Sequence, residues 1–110
     1  MNKPTSYPKE KINILFLENI SDAAIKKFNN AGYLSVKKIS AALTEDELIN
    51  EIKNVHLLGI RSKTQLTGNV LSHAEKLQAI GCFCIGVNQV DLSAATKKGV
   101  VVFNAPYSNT

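Results

Sequence analysis

Apolar and polar positions along this chain fall into two alternating patterns. Residues 12–17 (I-N-I-L-F-L), 55–60 (V-H-L-L-G-I), 79–85 (A-I-G-C-F-C-I) and 100–103 are short, nearly continuous apolar runs. Strands buried on both faces need such runs, while the more polar stretch 33–39 suits a sheet edge. Between the runs stand segments with helical spacing. Ser21, an early acid, then Ala24, Ile25 and Phe28, with Gly32 as a stop, predict a first helix. Thr44 with Glu47 three residues on is a capping box that opens a second helix to about Lys53, with Leu48 and Ile52 on its buried side. Thr67 caps a third over T-G-N-V-L-S-H-A-E, and Asp91 a fourth that Gly99 ends. Strict alternation with short connections predicts an α/β fold: a flavodoxin-like parallel sheet of about five strands, order 2-1-3-4-5, with right-handed crossovers.

Composition narrows the function classes. The 110 residues, 45% apolar and 20% charged, describe one ordinary globular domain behind a polar tail at residues 1–11. No apolar run approaches the roughly 20 residues that span a bilayer, and the first ten residues lack a signal peptide's apolar core, so a cytoplasmic protein is expected. The net charge of +4 is mild and its lysines are scattered, which argues against nucleic acid as a partner. Cys82 and Cys84 have no third ligand nearby for zinc and are read as buried, reduced, inert thiols. His56 and His73 stand without a triad partner in sequence and are read as structural.

In a doubly wound sheet, ligands bind beyond the carboxyl ends of the strands. Those ends carry Glu18 and Asn19, then Arg61, Ser62, Lys63 and Thr64, then Gly86, Val87, Asn88 and Gln89, and finally Asn104. Arg61 is the only arginine of the chain. It reads either as a surface residue pairing with Glu18 or capping a helix, or, with Lys63, two hydroxyls and the amides around Gly86, as part of a site for a carboxylate or phosphate. No P-loop and no G-x-G-x-x-G is present, the first strand lacks a flavin phosphate loop, and an acidic pair of the receiver type is missing.

G-I-R-S-K-T from Gly59, A-E-K-L-Q-A-I-G-C-F-C-I-G-V-N-Q-V-D-L from Ala74, and G-V-V-V-F-N-A-P-Y-S-N-T from Gly99 resemble the amino-terminal part of the NAD-dependent D-isomer-specific 2-hydroxyacid dehydrogenases. The resemblance implies that residues 12–110 are the first part of a discontinuous substrate-binding domain. The family's nucleotide domain, catalytic Arg, Glu and His, and return segment all follow the matched stretch, so no catalytic residue is carried over. It implies substrate contacts from Arg61, Ser62 and Lys63, from the turn at Ile85, Gly86 and Val87 with Asn88, and from Asn104 and Asn109 on the cleft side. It further implies a small acidic substrate of the 3-phosphoglycerate class, oxidised to 3-phosphooxypyruvate in serine synthesis. The resemblance also implies NAD as cofactor of an intact homo-oligomeric enzyme, with none expected to bind this chain alone. Where some relatives carry a phosphate-contacting Lys, this chain has Ser40, with Lys37 or Lys38 as candidate substitutes. The chain alone is expected to be an inactive fragment, the alternative being a non-enzymatic flavodoxin-like module that binds a small carboxylate or a protein partner. Without a helix after the fifth strand, one face of strands three to five is expected to be partly bare, exposing one parity of 79–85.

Overall fold

Five strands pair in parallel in the order β2-β1-β3-β4-β5. In the computed structural model, which describes residues 8–84 and 86–104, they are β1 (Asn13–Phe16), β2 (Ser35–Lys38), β3 (Leu57–Ile60), β4 (Ala79–Cys82) and β5 (Val101–Asn104). The helices are α1 (Asp22–Asn30), α2 (Glu45–Ile52), α3 (Gly68–Ser72) and α4 (Leu92–Lys97). Fold class, strand order and all four helices are those the hydrophobic pattern predicts. Among the described residues no helix is long and apolar enough to cross a membrane.

The caps form as their side chains dictate. Ser21, Thr67 and Asp91 each accept a hydrogen bond from the backbone N–H three residues on, and Thr44 and Glu47 close a reciprocal capping box. Gly32 and Gly99 take positive φ of 104° and 75°, where the chain leaves α1 and α4. β1 falls one residue inside its apolar run at each end, β3 starts two residues in and β4 stops three residues short, while β5 runs one residue past its own. Helix α3 is shorter than its spacing predicts: the Asn69 carbonyl takes side-chain bonds from Ser72 Oγ (2.6 Å) and His73 Nδ1 (2.9 Å). The end of the expected polar tail is also ordered. Lys9–Lys11 form a 3-10 turn, and Lys9 Nζ donates to the Ala31 carbonyl at the end of α1 (3.0 Å) and lies 5.5 Å from the Tyr33 ring centre.

Alternation along the strands builds one core on each face. Leu15, Leu58, Ile60, Ile80 and Cys82 point to the face where Leu48 and Ile52 of α2, Val70 and Leu71 of α3, and Ala95 of α4 pack. Ile14 and Phe16 point to the other, against Ala24 and Phe28 of α1. There Phe16 meets Phe28 and Phe83 edge-on, at 5.5 and 5.6 Å between centroids. The expected bare face is on this side: it is greatest on β5 and partial along 79–85, where Ala79 and Phe83 are half-buried while Ile80 and Cys82 are buried. Val101 is 62% and Phe103 39% exposed, while Gly81 is buried because the Phe103 ring lies over the space its missing side chain leaves. Ile85 lies outside the described residues.

His56 ties β1 to β3 at the amino-terminal ends of the strands, away from the carboxyl ends where ligands are expected. Its Nδ1 accepts from the Asn13 N–H (3.0 Å), so the ring is held neutral with its proton on Nε2. Burial first, then the charge of Lys76, hold its pKa below the ordinary 6.5. The unfolded chain therefore takes up the proton first. This contribution to stability is complete above about pH 6.5 and is lost as pH falls through the lower folded value. Urea midpoints are expected to stay level from pH 8 to pH 7 and to decline below 6.5. His56→Gln is expected to remove that part of the decline, and an unchanged profile in the variant would contradict this reading.

Candidate functional site

At the carboxyl end of β1 the chain turns sharply, and two successive residues, Glu18 (φ 61°) and Asn19 (φ 57°), adopt the left-handed conformation. That turn swings the Glu18 side chain under the loop after β3. Its Oε2 accepts from the N–H groups of Arg61 (2.8 Å) and Thr64 (2.9 Å), and its Oε1 from that of Lys63 (2.9 Å). Glu18 is only 9% exposed. Burial is the largest influence on its carboxyl and pushes the pKa up. The Lys63 N–H, the neighbouring Thr64 hydroxyl and the N–H groups of Arg61 and Thr64 together outweigh it, and the pKa lies below the ordinary 4.5. Thr64 Oγ1 itself is buried and closes no well-formed hydrogen bond. The Glu18 N–H donates to the Ala41 carbonyl (3.2 Å), which fixes the segment after β2 against the same turn.

The result is an open cleft of about 570 Å³, lined by Glu18, residues 40–42 and residues 61–63. Arg61, Ser62 and Lys63 are exposed on its rim. The sequence left Arg61 between an ion pair with Glu18 and a ligand-binding role. Glu18 takes the Arg61 backbone and not its guanidinium, and the ion pairs among the described residues are Lys37–Glu51 (3.0 Å) and Lys38–Asp22 (2.8 Å). Those pairs draw Lys37 towards α2 and Lys38 towards α1, and neither lines the cleft. The rim charges are thus those of Arg61 and Lys63.

The turn after β4 stands beside this loop and does not line the cleft. The two run together through a parallel bridge between Leu66 and Val90, with Leu66 N–H to Gln89 O at 2.8 Å and Asp91 N–H to Leu66 O at 2.9 Å. Gln89, 8% exposed, donates from Nε2 to the Arg61 carbonyl (2.7 Å) and to Cys84 Sγ (3.2 Å). Cys84 in turn donates to the Gly86 carbonyl (3.1 Å). Gly86 and Asn88 are exposed and Val87 is half-buried.

Asn104, expected on the cleft side, is exposed and makes contacts within the fold. Its Nδ2 donates to the Cys84 carbonyl (2.8 Å) and lies 3.4 Å from that of Gly86, so it braces the turn. Asn109 and Ile85 lie outside the described residues. The two thiols also part company. Cys82 is fully buried, and burial, with Cys84 and Glu18 adding to it, pushes its pKa up to about 11. Cys84 is half-buried and is part of the turn, which corrects the reading of both as inert core. Glu18 and Gln89 are the polar residues whose roles the sequence concealed. Their only local signal is a polar residue directly after a buried run. Among the described residues no group of His, Cys, Asp and Glu is placed to hold a metal ion.

Fold and site together define a class, and the comparisons agree with it: residues 14–110 match the catalytic domain of the D-isomer specific 2-hydroxyacid dehydrogenases, and the chain belongs to that family. Among its relatives, D-3-phosphoglycerate dehydrogenase of Dictyostelium discoideum is 56% identical over the whole chain, and that of Escherichia coli (strain K12) 49% identical over 96% of it. The chain spans about a quarter of their length, 27% and 26% respectively. The structure of NAD+-bound 3-phosphoglycerate dehydrogenase from Entamoeba histolytica superposes with a TM-score of 0.70 at 22% identity, over 86% of this chain and 33% of that one, and shares its fold.

Proposed function

We propose that residues 12–110 are the acid-binding part of an NAD-dependent dehydrogenase that oxidises 3-phospho-D-glycerate to 3-phosphooxypyruvate in the cytoplasm. The observation that carries this reading is the pair of exposed cations, Arg61 and Lys63, on the cleft rim, with neither side chain in an ion pair among the described residues. A guanidinium presents a planar fork to two oxygens of a phosphate or carboxylate, and an ammonium adds a point charge beside it. Ser62 offers a hydroxyl between them. The turn at residues 86–88 is assigned the second acidic group of the substrate. Held at both ends, the acid is oriented for reaction, and this is the part these residues play.

NAD does not fit the described residues. A pyrophosphate needs free backbone amides, and those at the end of β3 are taken by the Glu18 carboxylate. The nucleotide and the catalytic groups are therefore assigned to other parts of a longer protein. Calorimetry on the chain tests the substrate assignment. The expected result is binding of 3-phosphoglycerate that is tighter than that of glycerate and weakens with salt, with no NADH formed when NAD is added. A folded sample that binds neither, or both equally, would contradict it. It would then leave the reading as a non-enzymatic module that docks a protein partner.

A further inference from the structure

Three segments line the cleft, and all three meet at one residue, Glu18, through its backbone N–H and its carboxylate. The end of β1 provides Glu18 itself, the segment after β2 is bonded to it through the Ala41 carbonyl, and the loop after β3 is bonded to it through three N–H groups. Successive N–H groups converging on one point form a nest that ordinarily receives an anion from outside. Here an internal carboxylate fills the nest from below. The chain holds two non-glycine residues in the left-handed conformation at the turn that delivers this carboxylate.

We propose that Glu18 is the positioning residue of the acid-binding cleft: by spanning the N–H groups of Arg61, Lys63 and Thr64 it fixes the loop from which the Arg61 and Lys63 side chains reach the substrate. This rests on the substrate reading above and adds a residue that does not touch the substrate through its own charge. With the loop amides already bonded to Glu18, the external acid is left to the side chains. The direction in which those side chains leave the loop is set by the carboxylate beneath it. Gln89, bonded to the Arg61 carbonyl, braces the next peptide of the same loop.

Glu18→Gln is the discriminating variant, because the shape is kept while one of the two oxygens becomes an NH2 that faces an N–H and cannot accept its bond. Three readings are made on the labelled chain: amide exchange at residues 61, 63 and 64, affinity for 3-phosphoglycerate, and a double-mutant cycle with Arg61→Ala. The expected result is exchange about tenfold faster at those amides, affinity about tenfold weaker, and an Arg61→Ala penalty at least fivefold smaller in the Glu18→Gln background than in the wild type. A merely structural Glu18 would lower the melting temperature and leave the cycle additive, which would overturn the proposal. Unchanged exchange or an affinity within twofold of wild type would overturn it as well. Should the Gln variant not fold, Glu18→Asp, which keeps the charge and shortens the reach, carries the same comparison. A wild-type chain that binds no 3-phosphoglycerate overturns the substrate reading and the positioning role with it, even where exchange shows that Glu18 holds the loop, so the two failures are told apart.

Discussion

Gly59→Ala is expected to destabilise the fold by about 3 kcal/mol, the largest effect of any single methyl group added to the sheet. A Cβ at this position would stand 2.3 Å from Cδ1 and 2.6 Å from Cε1 of Phe16. Phe16 is fully buried and is pinned edge-on between Phe28 and Phe83, so its ring has nowhere to retreat. Gly81 gives the matched contrast. A Cβ there would stand 2.9 Å from Phe103 Cζ, but Phe103 is 39% exposed and is free to swing outward. Gly81→Ala is therefore expected to cost about 1 kcal/mol. Urea unfolding of the two variants checks the order. A Gly59→Ala loss equal to or smaller than that of Gly81→Ala would show that the packing around Phe16 is not as tight as described.

Arg61→Ala is expected to weaken binding of 3-phosphoglycerate about a hundredfold, on the scale of about 3 kcal/mol for a lost bidentate charge-assisted contact. Lys63→Ala should cost about tenfold, since an ammonium makes a less directed contact. Arg61→Lys is expected to recover little of the loss, because the charge returns without the fork. None of these changes should move the melting temperature by more than a degree or two. The Arg61 and Lys63 side chains are exposed and outside the core, and what ties their loop into the fold is backbone. Calorimetry with parallel thermal melts separates the two effects. An Arg61→Ala variant within a few-fold of wild type would place the acid elsewhere.

Elements whose cause is local were legible in the sequence. Thr44 and Glu47 cap α2 because their partners are each other, and Gly32 and Gly99 mark the exits of α1 and α4 because few other residues take positive φ. Strand order followed from the alternation of strands and helices, and the lone arginine marked one rim of the cleft. What stayed hidden depends on residues far apart in the chain. Glu18 meets the loop whose N–H groups it accepts 43 to 46 residues later, and Asn104 reaches back about 20 residues to brace the turn after β4. How the bare face is shared among the strands was hidden as well: the Phe103 ring, 22 residues after Gly81, covers that glycine, and the greatest exposure falls on β5. Side-chain pairing of Lys37 and Lys38 with α2 and α1 was equally beyond a reading of charge along the chain.

The central claim is a division of labour: these residues hold the acid, and the nucleotide is held elsewhere. Amide chemical shifts of the labelled chain, followed first with 3-phosphoglycerate and then with NAD, test it most directly. The account predicts shifts at residues 40–42, 61–64 and 86–88 with the acid and none above background with NAD. Shifts at the same residues with NAD, or no response of a folded chain to the acid, would contradict it.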